Sequence, residues 1–89
     1  MTTQRQVLMV PEGAPKAGEV FKHYKGDHYR VVSVALGSGD AYSDKDEWMV
    51  VYEAMYENPA AAFFTRPLHE WNKLVDWQGA QVRRFAKEV

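Results

Sequence analysis

Seven residues of this sequence bring together the side-chain types that bind charged or aromatic ligands: His23, Tyr24, Lys25, Tyr29, Tyr52, Arg66 and Arg84. Gathered on one face, they would offer an imidazole that titrates near neutral pH, phenol rings for stacking, and guanidinium forks that match carboxylate or phosphate oxygens. Such a set suits a small anionic ligand or a peptide. A plainer reading stands beside it. Each Tyr can pack in or around a core with its hydroxyl turned outward. Arg66, next to Pro67, can satisfy loop carbonyls or pair with Glu53 or Glu70.

Catalysis has less to work with. No nucleophile stands beside a base in the sequence, so no residue is assigned a catalytic role. The alternative is a minor hydrolase or transferase in which His23 is the general base and Arg66 steadies an oxyanion or phosphate. Metal binding is also poorly supplied. There is no Cys, and His23, His28 and His69 would need to converge to give zinc its three or more ligands. The acidic stretch Asp40, Asp44, Asp46 and Glu47 lacks the central Gly and distal Glu of a calcium loop. Gly37-Ser38-Gly39 has neither the spacing nor the following Lys-Ser/Thr of a phosphate loop. The expectation is therefore no metal and no cofactor. Arg83, Arg84 and Lys87 form a basic tail that could meet nucleic acid, but a formal charge of −1 argues against that partner.

What must position these groups is mostly strand. Residues from Gly18 alternate, with Val20, Lys22 and Tyr24 on one side and Glu19, Phe21 and His23 on the other. Lys25-Gly26-Asp27 supplies a turn, and His28 to Leu36, rich in Val, returns as a second strand. Gly37 to Asp46 reads as an exposed loop. Glu47 to Tyr56 alternates again, with Trp48, Val50, Tyr52 and Ala54 on one face, and is apolar enough on both faces for a central strand. After Glu57-Asn58-Pro59, Phe63 to Thr65 makes a short fourth strand. Pro67 opens a helix of about two turns carrying Leu68, Trp71, Leu74 and Val75, with Trp71 and Trp77 as packing anchors rather than stacking platforms. Gln81 to Phe85 closes the chain as a fifth strand. The fold class expected is mainly β: a small five-stranded SH3-like barrel with one short helix before the last strand.

The run from Gly18 to Val31, Gly-Glu-Val-Phe-Lys-His-Tyr-Lys-Gly-Asp-His-Tyr-Arg-Val, resembles the opening motif of a bacterial family known as domain of unknown function 1653. The resemblance continues through Val50 to Tyr56 and Thr65-Arg66-Pro67-Leu68, and ends at Arg84-Phe85. It implies an SH3-type barrel and no particular activity. Two stretches depart from the pattern. Leu36-Gly37-Ser38-Gly39-Asp40 stands where the family has Arg-His-Ser/Thr-Glu, and Arg83 stands where it has Pro. Any ligand contact made by the first stretch is thus not carried over.

At 89 residues the chain has room for one core, and its 13% aromatic content supplies large side chains to fill it. Residues 1–17, with Pro11, Gly13 and Pro15, read as an N-terminal arm, and 18–89 as a single domain. Within the arm, Val7 to Val10 is apolar enough to dock as an edge strand or at a dimer contact. That run is too short for a signal-peptide core or a membrane span, so the expected location is the cytoplasm, with no membrane partner, as a monomer or weak homodimer.

Overall fold

The computed structural model describes residues 9–38 and 47–88. Seven strands and one helical turn follow in the order β1 (Val20–His23), β2 (His28–Leu36), β3 (Trp48–Ala54), β4 (Phe63–Pro67), α1 (Leu68–Trp71), β5 (Leu74–Trp77), β6 (Ala80–Arg83) and β7 (Phe85–Lys87). Five of them form an antiparallel sheet in the order β4-β3-β2-β1-β7, and β5 and β6 form a separate hairpin. The protein is mainly β, as the alternation requires. Its sheets do not close into a barrel: β4 and β7 are the two edges, and no strand pair joins them among the described residues.

The β1–β2 hairpin follows its sequence closely. Gly26 sits at φ 112°, a backbone region costly for other residues, and its N–H bonds the His23 carbonyl at 2.7 Å. In β2 the register slips between Val31 and Ser33, so Val32 is an extra residue opposite β3. This bulge rephases the strand. Tyr29 and Val31 face inward before it and Val34 packs inward after it, while Val32 stays exposed.

The core lies on one face of the sheet. Phe21, Val31, Val50, Tyr52, Leu68, Trp71 and Phe85 are buried together, and Ala14 from the N-terminal segment packs against them. Trp71 is the lid of this cluster. Its ring stacks on Phe85 at 3.8 Å and meets Phe21 and Tyr52 edge-on at 5.2 and 5.1 Å. Burying aromatic surfaces of this size dominates the stability of so small a domain.

The last third differs from its sequence reading. The helix is one turn, not two, because only Leu68 and Trp71 have a core to face. Leu74 and Val75 belong to β5. Gln78 and Gly79, at φ 52° and 82°, reverse the chain into β6. The expected closing strand from Gln81 to Phe85 is broken at Arg84, whose N–H bonds the Lys73 carbonyl at 3.0 Å, so β6 ends at Arg83 and β7 begins at Phe85. In the arm, Met9 and Val10 are exposed and lie in no strand; Val7, Leu8 and most of the Gly37–Asp46 loop fall outside the described residues.

Candidate functional site

Strand register decides which of the seven singled-out residues meet. His23 pairs with Phe85 across β1 and β7, Val31 with Tyr52 across β2 and β3, and Val50 with Arg66 across β3 and β4. Side chains two apart on a strand share a face, so His23, Tyr29, Tyr52, Arg66 and Phe85 all point to the core side. Phe85 is their hub. His23, Tyr29 and Tyr52 lie 5.1, 5.9 and 5.8 Å from its ring centroid, and the Arg66 guanidinium carbon sits 5.5 Å over it.

The surroundings of His23 favour its neutral form and select one tautomer of it. Its Nδ1 accepts the Lys25 backbone N–H at 3.2 Å, so in the neutral ring the proton resides on Nε2. Partial burial first, and then the positive charges of Arg66, Arg84 and Lys25, push its pKa below the usual imidazole value. A ring in this state is a hydrogen-bond donor with no free lone pair. A general-base role for His23 would need Nδ1 to give up its bond to the Lys25 N–H.

The two arginines supply further donors. The Nε atoms of Arg66 and Arg84 are shielded from solvent and have no hydrogen-bond partner among the described residues. A terminal nitrogen of Arg66 lies 3.7 Å from the Glu70 carboxylate, the pairing weighed from sequence, while Glu53 pairs instead with Arg30 at 3.0 Å. Unpaired buried N–H groups of cations are costly, and an anion or water satisfies them best.

The remaining candidates sit differently. Tyr52 is buried as a packing residue. Tyr29 is half-buried, its hydroxyl 2.9 Å from that of Tyr56, and burial together with this bond raises its pKa. Tyr24 and Lys25 lie on the turn: the Tyr24 ring contacts His23 on one side and Trp77 on the other, and the Lys25 Nζ stands 5.8 Å from it. Phe85 and Tyr56 were not singled out from sequence. Phe85 carried a signal in the Arg84-Phe85 pair; Tyr56 carried none beyond its ring.

The other constellations separate. His28 lies opposite Lys22 on the outer face and bonds Glu88 at 2.9 Å, so it cannot face His23, and His69 pairs with Glu47 at 3.3 Å. No three His, Asp or Glu side chains come together among the described residues. Within the basic tail, Lys87 is engaged by Glu19 at 2.7 Å. Trp71 is a buried anchor, but Trp77 stands in β5 and is 36% exposed.

The model for the protein of unknown function family DUF1653 matches residues 19–87, nearly the whole span just described. The chain belongs to the DUF1653 family. A solved DUF1653 protein from Bordetella bronchiseptica is 33% identical, with a TM-score of 0.69 over 84% of this chain and 87% of its own. A search of curated proteins gave no match. In this DUF1653 domain the first and last stretches of the matched span are neighbours: β1, with His23, pairs with β7, with Phe85. No helix among the described residues is long and apolar enough to cross a membrane.

Proposed function

We propose that this DUF1653 domain, residues 18–89, is a non-catalytic binding module that holds the oxyanion of a small ligand, or of a peptide carboxylate, at the His23, Arg66 and Arg84 cluster. The observation that carries the reading is the pair of shielded arginine Nε donors without partners among the described residues, beside an imidazole whose pKa is lowered. The two Nε–H groups and the His23 Nε2–H all donate, and one carboxylate, Glu70, stands 3.7 Å from a terminal nitrogen of Arg66. Donors that outnumber the nearby acceptor favour an anion over a cation. Phe85 and Tyr29 provide the apolar floor that keeps such hydrogen bonds out of bulk water.

The test is a titration of the domain with acetate and with inorganic phosphate, followed by backbone amide and arginine Nε–H NMR signals. The reading expects shifts centred on His23, Arg66, Arg84 and Phe85, and at least tenfold weaker binding in the Arg66→Ala, Arg84→Ala double variant. Shifts confined to residues 9–17, or equal affinity in the double variant, would overturn it.

A further inference from the structure

Among the described residues, the β5–β6 hairpin has no strand pairing to the main sheet. Its Trp77 ring meets Tyr24 edge-on, with centroids 5.1 Å apart and planes at 73°. Between this hairpin and the β1–β7 pair lies a cleft of about 250 Å³. Tyr24, Trp77, Val82 and Ala86 give it an apolar lining, and Lys22, His23 and Arg83 also line it. Lys25 adds a third positive charge over the Tyr24 ring.

The charged side chains that line the cleft, Lys22 and Arg83, are both positive. None of the three cations forms an ion pair among the described residues. The hairpin's carboxylate, Asp76, does not line the cleft. Its oxygen is occupied by the Gln81 amide at 2.8 Å. A Trp left partly exposed beside a second ring, in an apolar cleft with cations at hand, matches a flat ring bearing a negative charge.

We infer that the cleft between Tyr24 and Trp77 binds a planar aromatic or heteroaromatic ring that carries a phosphate or carboxylate. The ring lies against Trp77 and Tyr24, and its anionic group is met by Lys22, Lys25 or Arg83. This site borders the proposed anion cluster, with which it shares His23, but it takes its charge from other cations and does not use Arg66 or Arg84.

The probes are adenosine 5′-monophosphate against ribose 5-phosphate, and benzoate against cyclohexanecarboxylate, followed by the indole N–H signals of Trp77 and Trp71. At least one ring-bearing probe should move the Trp77 signal and bind at least tenfold tighter than its partner without an aromatic ring. The first pair selects phosphates on heteroaromatic rings, the second aromatic carboxylates. Trp77→Leu and Tyr24→Leu should each weaken that binding tenfold with the Trp71 signal in place, which reports an intact core. The Arg66→Ala, Arg84→Ala double variant should bind the probe as the parent does. Equal affinity with and without the aromatic ring, an unmoved Trp77 signal, or loss of binding in the arginine variant would overturn the inference.

Discussion

His23 and Phe85 face each other across the β1–β7 pair, their rings 5.1 Å apart and inclined at 72°. One is the polar group of the proposed site and the other is 4% exposed in the core. Phe85 also stacks on Trp71, so the imidazole rests on the same aromatic block that holds the fold together. Site and stability share a residue.

Replacing that residue should therefore unfold the protein more readily than any surface change. Phe85→Ala should cost about 3–5 kcal/mol, since it removes a large buried ring and leaves a cavity under Trp71. Urea denaturation followed by Trp fluorescence reads the loss, and Phe85→Leu should fall between parent and Ala. A Phe85→Ala variant with an unchanged midpoint would contradict the packing described.

Acid should weaken the fold through His23. Its pKa is lowered on folding from the ordinary 6.5, so the unfolded chain binds the proton more readily in the window between the two values. Stability rises with pH through that window and is lost as pH falls through 6.5 toward the folded value. In His23→Gln this part of the dependence should vanish, which denaturation midpoints between pH 5 and pH 8 would reveal. Imidazole NMR titration should place the folded His23 below the ordinary value.

Anion binding should shift the same group. A ligand oxyanion offsets the charges of Arg66 and Arg84 that oppose protonation, so the His23 pKa should rise when phosphate is bound. Repeating the imidazole titration in saturating phosphate tests this against a chloride control of equal ionic strength. An unmoved His23 would separate the imidazole from the anion site.

The β5–β6 turn carries correctable strain. Gln78 adopts φ 52°, a left-handed conformation that suits Asn or Gly better. Gln78→Asn should raise stability by up to about 1 kcal/mol, and Gly79→Val should lower it. Thermal unfolding of both variants provides the check, with the Trp77 indole signal reporting whether the hairpin holds its place.

The cross-strand pair Arg30–Glu53, 3.0 Å apart at directly opposed positions, should contribute little. Both side chains are solvent-accessible, so a double-mutant cycle with Ala should return about 0.2–1 kcal/mol, diminishing with added salt.

The first two strands and their turn were legible because burial on one face imposes a strict period of two, and Gly26 marks the reversal. The bulge was not. Val31-Val32 is apolar throughout, and nothing local tells which Val is skipped. The last third was misread for a related reason. Leu68 and Trp71 are three apart, as one helical turn demands, and Leu74 extends the same spacing by chance into a strand. Gln78-Gly79 lacks the Asn or Asp that would have announced a hairpin.

The convergence of His23 with Arg66 was foreseeable once strands were assumed to adjoin. Phe85 as their common neighbour was not, because it depends on β7 returning beside β1, a pairing between residues some sixty positions apart. The cleft at Trp77 was hidden by the same error that extended the helix. An indole assigned to a helix flank looks like packing; on a hairpin with no sheet partner among the described residues it becomes surface.

That late return of β7 has a consequence for how the protein is made. Until residues 85–87 leave the ribosome, a nascent chain holds Trp71 and His23 without the ring that both rest on, and β1 presents an open edge where β7 will dock. Assembly must wait for the final stretch of this domain, and a translation product halted at Arg84 should be captured by chaperones or degraded rather than persist in a partly folded form.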